Sequence, residues 1–331
     1  MSGRGPTDVL LEVEGLKKHF PIREGLLLRT VDHVKAVDGV GFKVARGETI
    51  GIVGESGCGK TTLGRLILRL VEPTAGKVIF DGQDIVGLSE AEMRPFRKRM
   101  TIVFQDPYAS LDPRMNIERL VGEPIRIHAD RVDRAQLRDR VAALLQRVGL
   151  RPDALKRYPH ELSGGQRQRV AIARTLILEP QLIVADEPVS ALDVSVQAQV
   201  LNLLVELQQA FNLTYVFIGH DLRVVQYISD RVVVMYLGKV VESARVQTLF
   251  THPRHPYTEA LLESAPIADP KATRRVRVLA AGDVPSPIRP PEGCAFHPRC
   301  PRRGEGCDRV VPELREIEPG QCVRCHYPLP A

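Results

Sequence analysis

Gly54-Glu55-Ser56-Gly57-Cys58-Gly59-Lys60-Thr61 is the segment most capable of chemistry, because it matches the phosphate-loop pattern G-x-x-x-x-G-K-[ST] at every fixed position. Glycines let consecutive backbone N–H groups curl around phosphate oxygens, and a helix N-terminus behind them adds partial positive charge. Lys60 is expected to reach β- and γ-phosphates, and the Thr61 hydroxyl, followed by Thr62, to ligate Mg2+. Cys58 fills a variable position of the loop. Its place before a helix predicts a lowered thiol pKa and sensitivity to alkylation, with any loss of binding being steric.

A second acidic element follows. Leu182-Ile183-Val184-Ala185 is an apolar run ending in Asp186-Glu187. Paired with a phosphate loop, Asp186 is expected to hold Mg2+ through water and Glu187 to polarise an attacking water. A third element, Leu162-Ser163-Gly164-Gly165-Gln166, sets a serine and two glycine amides before a helical stretch, an anion nest by pattern.

These groups need strands and helices to position them. Thr49–Val53 reads as a buried strand into the loop and Thr62–Leu70 as a helix out of it. Val9–Glu14, Val40–Val44, Lys77–Phe80, Met100–Phe104, Thr214–Ile218 and Arg231–Met235 read as strands. Ile117–Ile127, Ala135–Val148, Gln166–Leu178 and the amphipathic Val194–Phe211 read as helices, so about 106–180 forms a helical insert. From about residue 265 periodicity disappears and turns such as Pro285-Ser286-Pro287 multiply, which predicts a boundary there and an irregular tail over 265–331.

With 331 residues, 44% apolar and 26% charged, the chain has the composition of a globular protein. A net charge of +6 with interleaved acids argues for a solvated surface and against a nucleic-acid partner. The N-terminal stretch lacks the apolar core of a signal peptide, and no run approaches about 18 apolar residues. The chain is therefore expected to be cytoplasmic, and any work on a membrane would go through a partner.

Together the three motifs resemble ATP-binding cassette (ABC) ATPases, with Leu162–Gln166 as the signature, and the resemblance covers nearly the whole chain. It implies an α/β P-loop cassette with an antiparallel β subdomain, a RecA-like core and a helical subdomain, taking up residues 1–264. It implies ATP and Mg2+ as ligands, and a head-to-tail dimer in which each signature covers the γ-phosphate on the other subunit. On that resemblance Gln105 matches the Q-loop glutamine, sensing Mg2+ and the transport partner. Asp193, in Ser190-Ala191-Leu192-Asp193, matches the D-loop, which crosses to the other subunit. His220 matches the switch histidine contacting the γ-phosphate, although Gly219 stands where the family usually has a small hydroxyl residue. Phe20 resembles the aromatic that stacks on adenine, with His19 and a plain core role as alternatives.

Three stretches resemble the ATPases of oligopeptide and dipeptide permeases: Gln105–Met115, Glu187–Gln197 and His255–Leu262. The insertion between Phe20 and Val37 and the Arg-rich Arg94–Arg99 resemble the second, F-type ATPase of such systems. The resemblance implies a different ATPase as partner, two membrane permeases and an extracytoplasmic substrate-binding protein. Nickel, glutathione and sugar-peptide importers share these motifs. Soluble ABC ATPases acting on DNA or ribosomes usually carry coiled-coil insertions or two cassettes, and neither is seen here.

Five of six cysteines crowd into the last 38 residues as C-x5-C-x6-C-x14-C-x2-C, which is not the paired C-x2-C of a zinc ribbon. Permease ATPases have a similar tail. On that resemblance Cys294, Cys300, Cys307 and Cys325 would hold a [4Fe–4S] cluster, with structural Zn2+ as the alternative and Cys322 as an extra thiol.

Overall fold

The computed structural model describes residues 8–25, 28–129, 131–264 and 283–330. The expected boundary near residue 265 falls at the edge of residues 265–282, outside the described residues. The strands in chain order are β1 (Val9–Glu24), β2 (Arg29–Ala45), β3 (Thr49–Val53), β4 (Ala75–Phe80), β5 (Gln83–Asp84), β6 (Met100–Val103), β7 (Leu182–Asp186), β8 (Thr214–Ile218), β9 (Arg231–Tyr236), β10 (Lys239–Arg245), β11 (Arg315–Glu318) and β12 (Gln321–Val323). The chain divides into two compact units. One comprises Met1–Ala45, Thr49–Val86 and Ile218–Ala331; the other comprises Arg46–Glu48 and Gly87–Phe217.

In the first unit β2, β1, β4 and β5 form an antiparallel sheet in that order. The β1–β2 hairpin is much longer than periodicity implies, and the stretch between Phe20 and Val37 lies within it, with Phe20 opposite Val34 and Ile22 opposite Asp32. Leu10, Leu11, Val13 and Leu16 are buried, whereas the chain beyond Leu16 is largely exposed. The distal half therefore lacks the apolar alternation by which a half-buried strand is recognised.

β3 is apolar and buried throughout, and it runs parallel to β9 from Ile50 opposite Arg231 to Val53 opposite Val234. Burial on both faces explains a continuous apolar run. β10 is antiparallel to β9, β12 to β10, and β11 to β12. The tail is thus not irregular throughout. Its short strands extend a sheet begun by β3, with Glu242 opposite Val323 and Ser243 opposite Cys322. Phe296, Val323 and Leu329 are buried. The tail shares the core of the first unit and needs none of its own.

Glu242 on β10 fastens this arrangement. It is fully buried and accepts hydrogen bonds from Arg254 N (2.8 Å), His255 N (2.9 Å) and Gln321 Nε2 (3.0 Å). Burial raises its pKa against those donors. Next to it, His255 Nδ1 accepts from Tyr257 N at 3.0 Å, and the His255, Tyr257, Tyr236 and Phe296 rings form a cluster with centroids 4.7–6.5 Å apart.

In the second unit β6 and β7 are parallel, from Met100 opposite Leu182 to Val103 opposite Ala185, with β8 on the other side of β7. Four long helices belong to this unit: Ile117–His128, Arg134–Arg147, Gly164–Leu176 and Val194–Phe211. Asn116, Asp133, Ser163 and Asp193 each accept from first-turn amides as side-chain caps, which sets where the helices begin. Arg174 ties the unit together, donating to the Ser110 carbonyl (2.8 Å) and to Glu123 (2.7 Å).

Burial holds the His255 imidazole neutral, with its pKa lowered to about 3. An unfolded chain takes up that proton below its ordinary pKa of about 6.5. Stability present above pH 6.5 is therefore lost as pH falls towards 3, by about 2 kcal/mol at pH 5. Urea denaturation from pH 7 to 5 should show this slope, and His255→Asn should flatten it.

Candidate active site

The first unit supplies the phosphate loop. Gly54, Gly57 and Gly59 have φ of +152°, +81° and +102°, which L-residues with a Cβ rarely adopt. Space constrains two of them further. A Cβ on Gly54 would come under 3.0 Å from the Met235 carbonyl oxygen and from Cys58 Sγ, and one on Gly59 under 3.0 Å from the Ala36 carbonyl oxygen. The loop is closed by Cys58 N donating to the Glu55 carbonyl (3.2 Å) and Gly238 N donating to the Cys58 carbonyl (3.0 Å). The helix Lys60–Ile67 starts at Gly59 with no side-chain cap.

Lys60 is buried, and its Nζ folds back to donate to the carbonyls of Gly54 (2.8 Å) and Glu55 (3.0 Å). A loop with three glycines, a helix N-terminus and an ammonium within it fits a nucleotide's phosphates. Thr61 and Thr62 occupy the first turn of that helix.

Cys58 corrects one expectation. It is 3% exposed, and burial pushes its thiol pKa up, outweighing the opposing effect of Lys60. The helix N-terminus does not make it a reactive thiol, because desolvation dominates.

His220 is exposed at the end of β8, where Gly219 N donates to the Ile52 carbonyl at 3.1 Å, just before the phosphate loop. Asp221 caps the next helix through Arg223 N at 2.8 Å. Phe20 is 37% exposed on β1 with the Lys18 ammonium 5.0 Å from its ring centre, a surface ring and not a core residue. His19 is turned to Asp38, at 3.2 Å.

The second unit supplies the acids and the signature. Asp186 ends β7 and is 4% exposed. Glu187 has φ of +46°, a left-handed conformation for a non-glycine residue, and its carbonyl accepts from Ser190 N (3.2 Å) and Ser190 Oγ (3.0 Å). Gln105 Nε2 donates to Glu187 Oε2 at 3.0 Å, so residues 82 positions apart meet. Ser163 and Gln166 form a capping box, Gln166 N donating to Ser163 Oγ (3.3 Å) and Ser163 N to Gln166 Oε1 (3.0 Å). Gly164 and Gly165 form the first helical turn, and a Cβ on Gly165 would come under 3.0 Å from Val196 Cγ1. Asp193 caps the helix Val194–Phe211 through Val196 N (3.0 Å) and accepts from Ser195 Oγ (2.7 Å), contacts that lower its pKa.

In the tail, burial raises the thiol pKa values of Cys294, Cys300 and Cys325, the last to about 11, with the neighbouring cysteines adding to the rise. After burial, Cys325 is affected by Cys294, Cys300 and Cys307, whereas the Cys322 thiol, opposite Ser243, is raised by burial and then by Glu316, against Ser243 and Arg231. All six cysteines are free thiols. Among the described residues no group of three or more His, Cys, Asp or Glu is arranged to hold a metal ion. The expected four-thiolate centre is therefore not preassembled, since buried neutral thiols do not draw one another into ligating geometry.

Tyr257 and Arg299 reach the phosphate loop without any role expected from sequence. Tyr257 lies in a stretch singled out only for its resemblance to permease ATPases, and nothing in local pattern marks a residue 244 positions from Glu55.

The chain is similar to known proteins in sequence and in fold. Residues 37–190 match the ABC transporter family model, and residues 241–307 match the oligopeptide/dipeptide transporter C-terminal region. The chain is 53% identical to the oligopeptide transport ATP-binding protein AppF of Bacillus subtilis, over 96% of this chain and 97% of that one. It is 52% identical to a probable peptide ABC transporter ATP-binding protein of Sinorhizobium fredii, over 98% and 92%. Among solved structures it resembles the ATP-binding cassette MJ0796 in a dimeric post-hydrolysis state with ADP and Pi (TM-score 0.64, 28% identity, 72% of this chain and 99% of that one). It also resembles cbiO1 of Clostridium perfringens, part of the ABC transporter complex cbiONQ (TM-score 0.65, 30% identity, 74% and 92%).

Iodoacetamide at pH 7.5 should label Cys58 at least about tenfold more slowly than an exposed thiol, because burial withholds the thiolate. Peptide mapping by mass spectrometry over time checks this.

Proposed function

The chain belongs to the ATP-binding subunits of ABC transporters, in their oligopeptide and dipeptide branch, and on that premise we propose how its residues divide the work. It is an ATPase coupled to peptide import, taking ATP and Mg2+ and serving membrane permeases as a peripheral subunit. No helix among the described residues is long and apolar enough to cross a membrane.

The observation that carries the mechanism is the cradle of Gly54, Gly57 and Gly59 around Lys60. Its amides bind the β- and γ-phosphates, and Lys60 exchanges the carbonyls of Gly54 and Glu55 for phosphate oxygens. Glu55, Ser56 and Cys58 supply the loop's remaining backbone, and Thr62 continues the first turn. Thr61, Gln105 and Asp186 hold Mg2+, which offsets charge on the transferring phosphoryl group. Glu187 accepts a proton from the attacking water. The Gln105 amide on Oε2 restrains that carboxylate. His220 donates to the γ-phosphate, and Phe20 stacks on adenine.

The second half of each site comes from another ATPase subunit, proposed here as a different chain. Ser163, Gly164, Gly165 and Gln166 close over the phosphate held by that partner, with Asp193 at the crossing point. An open groove beside Gln105, lined by Thr101, Phe104, Ser110, Pro124 and Arg174, is the surface proposed to receive a permease segment. An extracytoplasmic binding protein delivers a peptide, and ATP-driven closure of the ATPase pair turns the permeases. The tail thiols Cys294, Cys300, Cys307 and Cys325 are proposed to take up a [4Fe–4S] cluster or Zn2+ as a structural brace. Their freedom from disulfides and their mutual electrostatic effect support this.

Glu187→Gln should lower steady-state turnover by at least about a hundredfold, the share of a general base. Mg·ATP binding should stay within a few-fold of wild type. Normal turnover would contradict the role of Glu187. For the tail, anaerobically purified protein should contain about four irons and four sulfides, or one zinc, per chain. Protein with neither metal would remove the brace from the account.

A further inference from the structure

The tail touches the phosphate loop directly. Arg299, at the end of a short 3-10 turn (His297–Arg299), lays a two-pronged ion pair on Glu55: Nη1 to Oε2 at 2.8 Å and Nη2 to Oε1 at 3.0 Å. The Arg299 side chain is 9% exposed. Its guanidinium stacks 5.9 Å from the Tyr236 ring centre, and Nη1 reaches Tyr236 Oη at 3.4 Å. A second contact meets the same residue from the other side, where Glu55 N donates to Tyr257 Oη at 2.8 Å. Tyr236, Tyr257 and Phe296 pack edge-to-face and tilted, which fixes the ring carrying that hydroxyl and the turn carrying Arg299.

Glu55 is the second residue of the loop, and its carbonyl accepts from both Cys58 N and Lys60 Nζ. Its side chain, amide and carbonyl are therefore all engaged, the first two by residues from the C-terminal third of the chain. A planar fork on a carboxylate fixes direction as well as distance, which a lysine ammonium cannot do. We propose that Arg299 is a positioning residue for nucleotide binding: with Tyr257 it straps Glu55 so that the phosphate loop is held open in binding-ready form. This rests on the reading of the loop as the ATP site. The cysteine-bearing tail thereby becomes part of the nucleotide site.

The test is titration of the full chain with a fluorescent ATP analogue and Mg2+, alongside melting temperature. Arg299→Ala and Glu55→Gln should each weaken affinity by about tenfold, the scale of one charged hydrogen-bonded pair. The double variant should be no weaker than either single one, because both remove the same contact. Arg299→Lys should recover only part of the loss. An unchanged affinity in Arg299→Ala, additive losses, or losses that follow melting temperature alone would overturn the proposal. If Arg299→Ala does not fold, Tyr257→Phe keeps the ring and removes the hydroxyl. It should weaken binding too, and wild-type affinity there would count against the strap. Wild-type protein that binds no ATP would overturn the underlying reading instead.

Discussion

Two backbone carbonyls, those of Met235 and Ala36, set the constraint on which the nucleotide site depends. They lie against Gly54 and Gly59 so closely that no side chain fits at either position. The loop can therefore pack on the end of β9 and on β2. The neighbouring elements are arranged around that contact: β3 and β9 are parallel neighbours, and the helix Lys60–Ile67 starts where the last glycine ends. Ala36 belongs to the long hairpin and Met235 to the strand leading into β10. The antiparallel sheet and the tail-bearing sheet thus both bear on one eight-residue loop.

The second unit meets a different demand. Glu187, the proposed general base, follows directly on a strand end. β7 is buried along its length, and the chain turns sharply at Glu187 into a left-handed conformation, which hydrogen bonds from Ser190 hold in place. Gln105 then restrains the side chain from a separate strand end. The signature serine and Gln166 satisfy each other, which steadies the helix start at Gly164 and Gly165. Each unit is locally complete in its own parts.

Much of this was legible in the sequence where a single local rule decides the outcome. β8 and the helix Val194–Phe211 appear with the bounds that periodicity predicts, and β3 follows from its apolar run before the loop. Candidate chemistry-bearing residues could be proposed because glycines, a lysine and terminal acids sit at fixed spacings. Long-range choices were not legible. β12 has three residues, too few to alternate, and it exists because β10 offers an edge. Glu242 reads as a surface acid until Arg254, His255 and Gln321 surround it. Cys58 reads as reactive from its helix position, but its burial depends on distant chain. Arg299 carries no local pattern at all.

The central claim is that backbone shape at the phosphate loop, more than any one side chain, makes the ATP site. Calorimetric titration of Mg·ATP into wild type and Gly54→Ala, with circular dichroism to confirm both are folded, tests it most directly. The account predicts clear binding by wild type and at least about a hundredfold weaker binding by the variant, since the added methyl must displace the loop from the Met235 carbonyl. Equal affinity in a folded Gly54→Ala protein would contradict it.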